Sequence, residues 1–155
     1  MYLMFLGTHG QGGPWNTKGI AGVNRFLNRI WRYVANDEGE PQPQRINDAP
    51  LTKTQERVMH QTIKKVSEDI EALRLNTAIS VIMILMNERP SGEPDAAPLQ
   101  AVETLVQLVA PFAPHIAEEI WSRLGKSGSV FESAFPKYDE SKTVEDTVTV
   151  VLQVN

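Results

Sequence analysis

Arg25, Arg29 and Arg32 stand at spacings of four and three, which brings three guanidinium groups onto one face of a helix. No acidic residue lies between them, and Asn24 and Asn28 flank them. Such a row can track the phosphates of a nucleic-acid backbone, since arginine pairs with phosphate through two parallel hydrogen bonds. On spacing alone, an ordinary solvated helix face is the simpler reading. Lys53, Arg57 and Lys64 extend the basic surface onto a second helix, with Lys65 behind them.

Other constellations are weaker. Gly7-Thr8-His9-Gly10-Gln11-Gly12-Gly13 is rich in glycine, yet it lacks the Gly-Lys-Ser/Thr ending of a phosphate loop and no β-branched strand leads into it. It reads as a structural loop. His115 with Glu118 and Glu119 has the look of a metal-binding helix, but no second histidine lies nearby, and catalytic zinc needs three protein ligands. The simpler reading places His115 at a helix start after Pro114, with both glutamates favourable to the helix dipole. Lys64-Lys65 and Glu68-Asp69 sit at i, i+4 and read as a solvated, salt-bridged face. No serine, lysine or carboxylate pair forms a catalytic constellation. Trp15, Trp31 and Trp121 read as packing anchors rather than base-stacking platforms, because two of them lie in apolar stripes.

Five helical patterns position these residues. Ile20, Val23, Phe26, Leu27, Ile30, Trp31 and Val34 form the first stripe, which stops at Asn36-Asp37-Glu38-Gly39. A connection with Pro41, Pro43 and Pro50 follows. The second helix starts near Thr52, which with Gln55 has capping-box spacing, and its stripe is Met59, Ile63, Val66, Ile70 and Leu73. The third, about Asn76 to Asn87, has almost no polar face and is expected at the buried centre of a bundle. After a proline-rich loop, the fourth runs from about Leu99 to Val109. The fifth, His115 to Leu124, ends at Gly125. Residues Asp146 to Val154 alternate like a strand with no partner in the helical chain. That orphan strand, and the apolar start Met1 to Leu6, give both ends the look of cut edges. The two ends are expected to be disordered or packed on a neighbouring chain.

Composition bounds the function. A chain of 155 residues suits one domain, or one domain plus a piece of another. The absence of cysteine excludes disulfides, a thiolate nucleophile and Cys-ligated zinc, and fits a reducing, cytoplasmic setting. No stretch is long and apolar enough to span a bilayer, so no membrane partner is expected. The net charge of -4 argues against a wholesale basic nucleic-acid binder. Its distribution softens that argument. Residues 1–74 carry ten Lys and Arg against eight Asp and Glu, and residues 75–155 carry five against eleven. The first half is therefore mildly basic.

Several stretches resemble the part of leucyl-tRNA synthetases that follows the catalytic domain. Trp15-Asn16 with Gly19-Ile20-Ala21-Gly22-Val23 and Arg25-Phe26-Leu27-Asn28-Arg29-Ile30-Trp31-Arg32 is similar to that family's first bundle helix. His60 with Thr62-Ile63-Lys64-Lys65-Val66-Ser67-Glu68-Asp69-Ile70-Glu71, and Asn76-Thr77-Ala78-Ile79-Ser80, are close matches. Ala110-Pro111-Phe112-Ala113-Pro114-His115-Ile116-Ala117-Glu118-Glu119-Ile120-Trp121 is similar to class I synthetases for aliphatic amino acids in general. Met1 to Gly7 resembles the tail of the helix after the Lys-Met-Ser-Lys-Ser loop, and Leu152-Gln153-Val154-Asn155 the start of a C-terminal β-containing domain. Thr8 in place of a proline, and Phe135-Pro136 in place of Trp-Pro, are departures.

The resemblance implies an all-α fold, a class Ia anticodon-binding-type helical bundle, with a short C-terminal β-strand fragment. It implies a tail and connecting loop over 1–18, the bundle over 19–125, and a linker with the start of the next domain over 126–155. It implies a domain that holds leucine-accepting tRNA by shape and backbone, alongside catalytic and C-terminal domains of the same polypeptide. Arg25, Arg29 and Arg32 are the expected tRNA-backbone contacts, with Arg57, Lys64 and Lys65 behind them. The catalytic motifs His-Ile-Gly-His and Lys-Met-Ser-Lys-Ser are absent from this sequence. No catalytic residue, metal or cofactor is therefore expected here, and ATP and magnesium belong to the full-length enzyme. The competing readings are a stand-alone helical interaction module, and the equivalent domain of a valyl or isoleucyl enzyme.

Overall fold

The computed structural model describes residues 1–7, 15, 17–87 and 96–144. The described chain is mostly helical. Its helices are α1 (Tyr2–Phe5), α2 (Thr17–Trp31), α3 (Lys53–Glu71), α4 (Leu75–Asn87), α5 (Leu99–Val109) and α6 (Pro114–Arg123). Two short strands, β1 (Ile46–Asn47) and β2 (Ala97–Pro98), pair in parallel, Ile46 opposite Ala97. They tie the two connections read from the sequence as featureless. The strand expected at Asp146 to Val154 lies outside the described residues.

Local chemistry explains the helix ends. Thr52 accepts from the Gln55 backbone N–H at 3.2 Å, while the Gln55 side chain accepts from the Thr52 N–H at 2.9 Å. This reciprocal box satisfies two otherwise free donors at the start of α3. At the end of α6, Gly125 adopts φ +75, with Gly125 N–H on the Ser122 carbonyl and Lys126 N–H on the Trp121 carbonyl. That left-handed stop closes the last turn.

The core gathers one stripe from each long helix. Phe26 and Ile30 of α2 meet Met59, Ile63 and Val66 of α3, Ile79 and Ile82 of α4, Val102, Val106 and Val109 of α5, and Ile120 and Trp121 of α6. The α3–α4 pair is the most extensive contact, and α5 packs on α6. Burial of these aliphatic groups contributes about 1.5–3 kcal/mol per large side chain. The central position expected for α4 is only half realised. Ala78, Ile79 and Ile82 are buried, but Ile84 is 53% exposed. The helix is apolar all round, yet its neighbours cover only part of its circumference.

The first six residues depart from expectation as well. Residues 2–5 form a single helical turn on α4 and α2, within their own chain. Met1 and Phe5 join the core, whereas Leu3 and Met4 face outward. Tyr2 packs against Gly19, where an added Cβ would stand 2.8 Å from a ring carbon. Tyr2 also meets Trp15 edge to face at 5.4 Å. These aromatic contacts give the apolar segment a seat on its own bundle.

Candidate nucleic-acid interface

The buried stripe of α2 is Val23, Phe26 and Ile30, which leaves Arg25, Arg29 and Arg32 facing outward. The three arginines have different surroundings. Arg25 makes no hydrogen bond or ion pair among the described residues, so its guanidinium is available. Arg29 donates to the Met86 carbonyl at 3.0 Å, so it covers the C-terminal end of α4. A cation there also complements the helix dipole. Arg32 forms a two-pronged pair with Asp37 at 3.2 and 3.3 Å. The acid absent from the arginine run thus arrives from the following turn.

The basic residues of α3 are more engaged. Arg57 is half-buried and has interactions of its own. Lys64 meets Glu140 at 2.6 Å, with the Tyr138 ring 5.7 Å from its nitrogen. The hydrogen bond to Glu140 holds the Lys64 ammonium above the usual lysine range. This contact belongs to a strap, residues 138–143, that lies along α3. Its Asp139 N–H donates to His60 Nδ1 at 3.0 Å, Lys142 pairs with Glu56 at 2.5 Å, and Gln61 donates to the Thr143 carbonyl at 2.7 Å. Hydrogen bonds from Ser141 hold the Asp139 carboxyl below the usual range. The arginine row of α2 and the lysines of α3 therefore differ in kind: the first is open at Arg25, the second is partly occupied by the chain itself.

Lys65 has another setting. Its ammonium lies 2.6 Å from Asp69 Oδ1, and Asp69 is fully buried. The same oxygen accepts from Arg74 Nε at 2.8 Å. Sequence reasoning placed Asp69 on a solvated face, and the structure corrects that. The inward positions of α3 include Thr62, Ile63 and Val66, and Asp69 continues that row by three residues. Burial raises the Asp69 carboxyl, and the hydrogen bonds from Lys65 and Arg74, with the Thr77 hydroxyl nearby, outweigh it and leave the group below the usual range. Arg74 has no signature in the sequence, because a lone cation between two helices carries no periodic signal.

His115, Glu118 and Glu119 do not converge. His115 is exposed, Glu118 holds the Ser129 hydroxyl and the Val130 N–H at 3.2 Å, and Glu119 pairs with Arg123 at 2.7 Å. Both glutamates are thus spent on local structure. Among the described residues no group of three or more His, Cys, Asp and Glu is placed to hold a metal ion. No described helix is long and apolar enough to cross a membrane.

The sequence and fold of this bundle match a known family. Residues 53–155 match the model of the anticodon-binding domain of tRNA ligase, and the chain belongs to that family. Similar proteins include leucine–tRNA ligases. Over its whole length the chain is 45% identical to the leucine–tRNA ligase of Chloroherpeton thalassium and 43% identical to that of Chlorobium phaeobacteroides. It spans 19% of the length of each of them. Among solved structures it is similar to an Agrobacterium radiobacter LeuRS, crystallised as a ternary complex with tRNA and LeuAMS. That likeness has a TM-score of 0.69 and 27% identity, and covers 92% of this chain and 20% of the other. The all-α bundle that the resemblance implies is the fold of this family.

Proposed function

We propose that this chain is the tRNA-positioning bundle of a leucine–tRNA ligase. In the whole enzyme it supports ATP-dependent attachment of leucine to its tRNA by holding the tRNA backbone. Its contribution to rate is orientation: a tRNA held at a distance from the reacting end reaches the catalytic site already aligned. Recognition of this kind uses shape and phosphate contacts rather than base edges. ATP and magnesium act in the catalytic domain, and the cytoplasm is where such an enzyme works. The observation that carries the reading is the outward arginine row of α2, with Arg25 unengaged among the described residues, on a bundle whose relatives are leucine–tRNA ligases.

The test places Arg25→Ala, Arg29→Ala and Arg32→Ala together in a full-length ligase carrying this sequence. The KM for tRNA rises, while leucine activation, followed by leucine-dependent ATP–pyrophosphate exchange, is unchanged. An unaltered KM for tRNA removes the site assignment.

A further inference from the structure

The α3–α4 corner differs from every other ion pair described above in where its acid lies. Lys64, Arg32, Arg123 and Lys142 pair with Glu140, Asp37, Glu119 and Glu56, whose side chains are all at least 36% exposed. A phosphate approaching those cations meets a carboxylate on the same surface. At the corner, the carboxylate of Asp69 is 0% exposed, while Lys65 is 45% and Arg74 48% exposed. The anion faces inward and the two cations face outward. Solvent meets only the positive side of the cluster.

The two cations are also fixed in place. Both bond to one oxygen of Asp69, which forces their nitrogens to lie side by side. Arg74 is fastened a second time through its backbone, whose N–H donates to the Asp69 carbonyl at 2.7 Å. Leu73, just before it, sits in the left-handed region at φ 56, which turns the chain sharply into α4. Arg74 uses Nε on Asp69, and its two terminal nitrogens have no partner among the described residues. A guanidinium tied at Nε offers those two nitrogens as a planar edge, the shape that matches two phosphate oxygens. Little side-chain freedom is left to lose on binding.

We propose that this corner is a phosphate clamp: Arg74, with Lys65 beside it, grips a single backbone phosphate of the bound RNA, and Asp69 positions both from beneath. The inference rests on the tRNA-binding reading above and adds a contact outside the α2 row. It predicts one phosphate rather than a broad patch, because Asp69 cancels one of the two positive charges and Glu68 and Glu71 flank it at the end of α3. Lysine at position 74 keeps a charge for Asp69 but has no second edge to offer a phosphate. Neutralisation of Asp69 alone would therefore survive that exchange, and the clamp would not.

The experiment titrates a leucine-accepting tRNA transcript into a full-length ligase carrying this sequence and into its Arg74→Lys and Lys65→Gln variants, over a range of salt, with a thermal melt of each protein. Arg74→Lys is expected to melt like the wild type and to bind about tenfold more weakly. Its salt slope is expected to be shallower by about 0.7–0.9, the share of one phosphate. Lys65→Gln, which leaves the Arg74–Asp69 pair intact, loses a smaller part of both and decides the matter if Arg74→Lys fails to fold. Unchanged affinity and slope in the folded variants overturn the clamp and leave the tRNA reading standing. Unchanged tRNA affinity both in these variants and in the Arg25, Arg29 and Arg32 triple variant overturns both.

Discussion

Arg123 of α6 lies over the indole of Trp31 at the end of α2, its guanidinium carbon 4.7 Å from the ring centroid. The same arginine donates to the Gly39 carbonyl at 2.9 Å and pairs with Glu119 at 2.7 Å. The indole N–H in turn donates to the Asn36 carbonyl at 3.1 Å. One side chain thus fastens the turn after α2 to the last helix. Arg123→Ala removes the stacking, worth about 0.5–1 kcal/mol where partly exposed, together with a hydrogen bond. A loss of about 1–2 kcal/mol in urea unfolding is expected. Arg123→Lys recovers little of it, because an ammonium cannot stack and reach Gly39 together. Full recovery by lysine would reduce the contact to simple charge.

Leu73 occupies the position that ends α3, with its N–H on the Ile70 carbonyl and φ 56. Glycine is the usual residue there, because a Cβ crowds the following carbonyl in this conformation. The leucine side chain is 63% exposed and packs on little that would offset the strain. Leu73→Gly is therefore expected to raise stability by about 0.5–1 kcal/mol, the relief of strain less the added freedom of the unfolded chain. A melting temperature that falls on substitution would mean that the leucine makes a stabilising contact.

How far these features were legible in the sequence follows from the range of the interaction involved. Thr52 with Gln55, and Gly125, act within one helical turn, so their residue types announce them. The α2 stripe also read correctly from Val23 to Val34, since burial follows period, whereas Ile20 at its start is exposed. Asp69 did not, because an acidic residue at a buried position is recognisable only once Lys65 and Arg74 are seen to converge on it. The exposure of Ile84 had no signature either: an all-apolar helix states that it can be buried, and only its neighbours decide which side is. The pairing of Ile46 with Ala97 spans two residues per strand, too short for any alternation to appear. Within the candidate interface, the outward row of arginines was readable, whereas Arg29 on Met86, Arg32 on Asp37 and Lys64 on Glu140 depend on chain segments brought in by the fold.

Asp69 also sets an acid limit on the fold. Its carboxyl lies below its ordinary value of 3.8 in the folded chain, burial opposing the shift and the Lys65 and Arg74 hydrogen bonds prevailing. A folded pKa below the unfolded one means that the unfolded chain takes up the proton first. The stabilisation is therefore complete above about pH 4–5 and is lost as pH falls from there through the folded value. Melting temperatures measured from pH 6 down to pH 2 should drop across that window. Asp69→Asn should lower the melting temperature at neutral pH and flatten the drop, since it leaves nothing to titrate at the corner. An acid limb of unchanged steepness in the variant would assign it to other carboxylates.

The strap over α3 has a direct consequence for RNA binding. Glu140 is 65% exposed and holds Lys64 at 2.6 Å, where a phosphate oxygen would otherwise sit. An exposed pair of this kind stabilises by only about 0–1 kcal/mol, so its loss is tolerated by the fold. Glu140→Gln releases the Lys64 ammonium while His60, Gln61 and Glu56 still hold the strap through Asp139, Thr143 and Lys142. If Lys64 belongs to the tRNA footprint, the variant binds tRNA several-fold more tightly, and the salt dependence steepens by up to about one phosphate. The double variant Glu140→Gln with Lys64→Gln should lose that gain, because the freed ammonium is its source. A single variant that binds like the wild type at every salt concentration would take Lys64 out of the footprint, leaving the row on α2 and the corner at Arg74 to carry the contact.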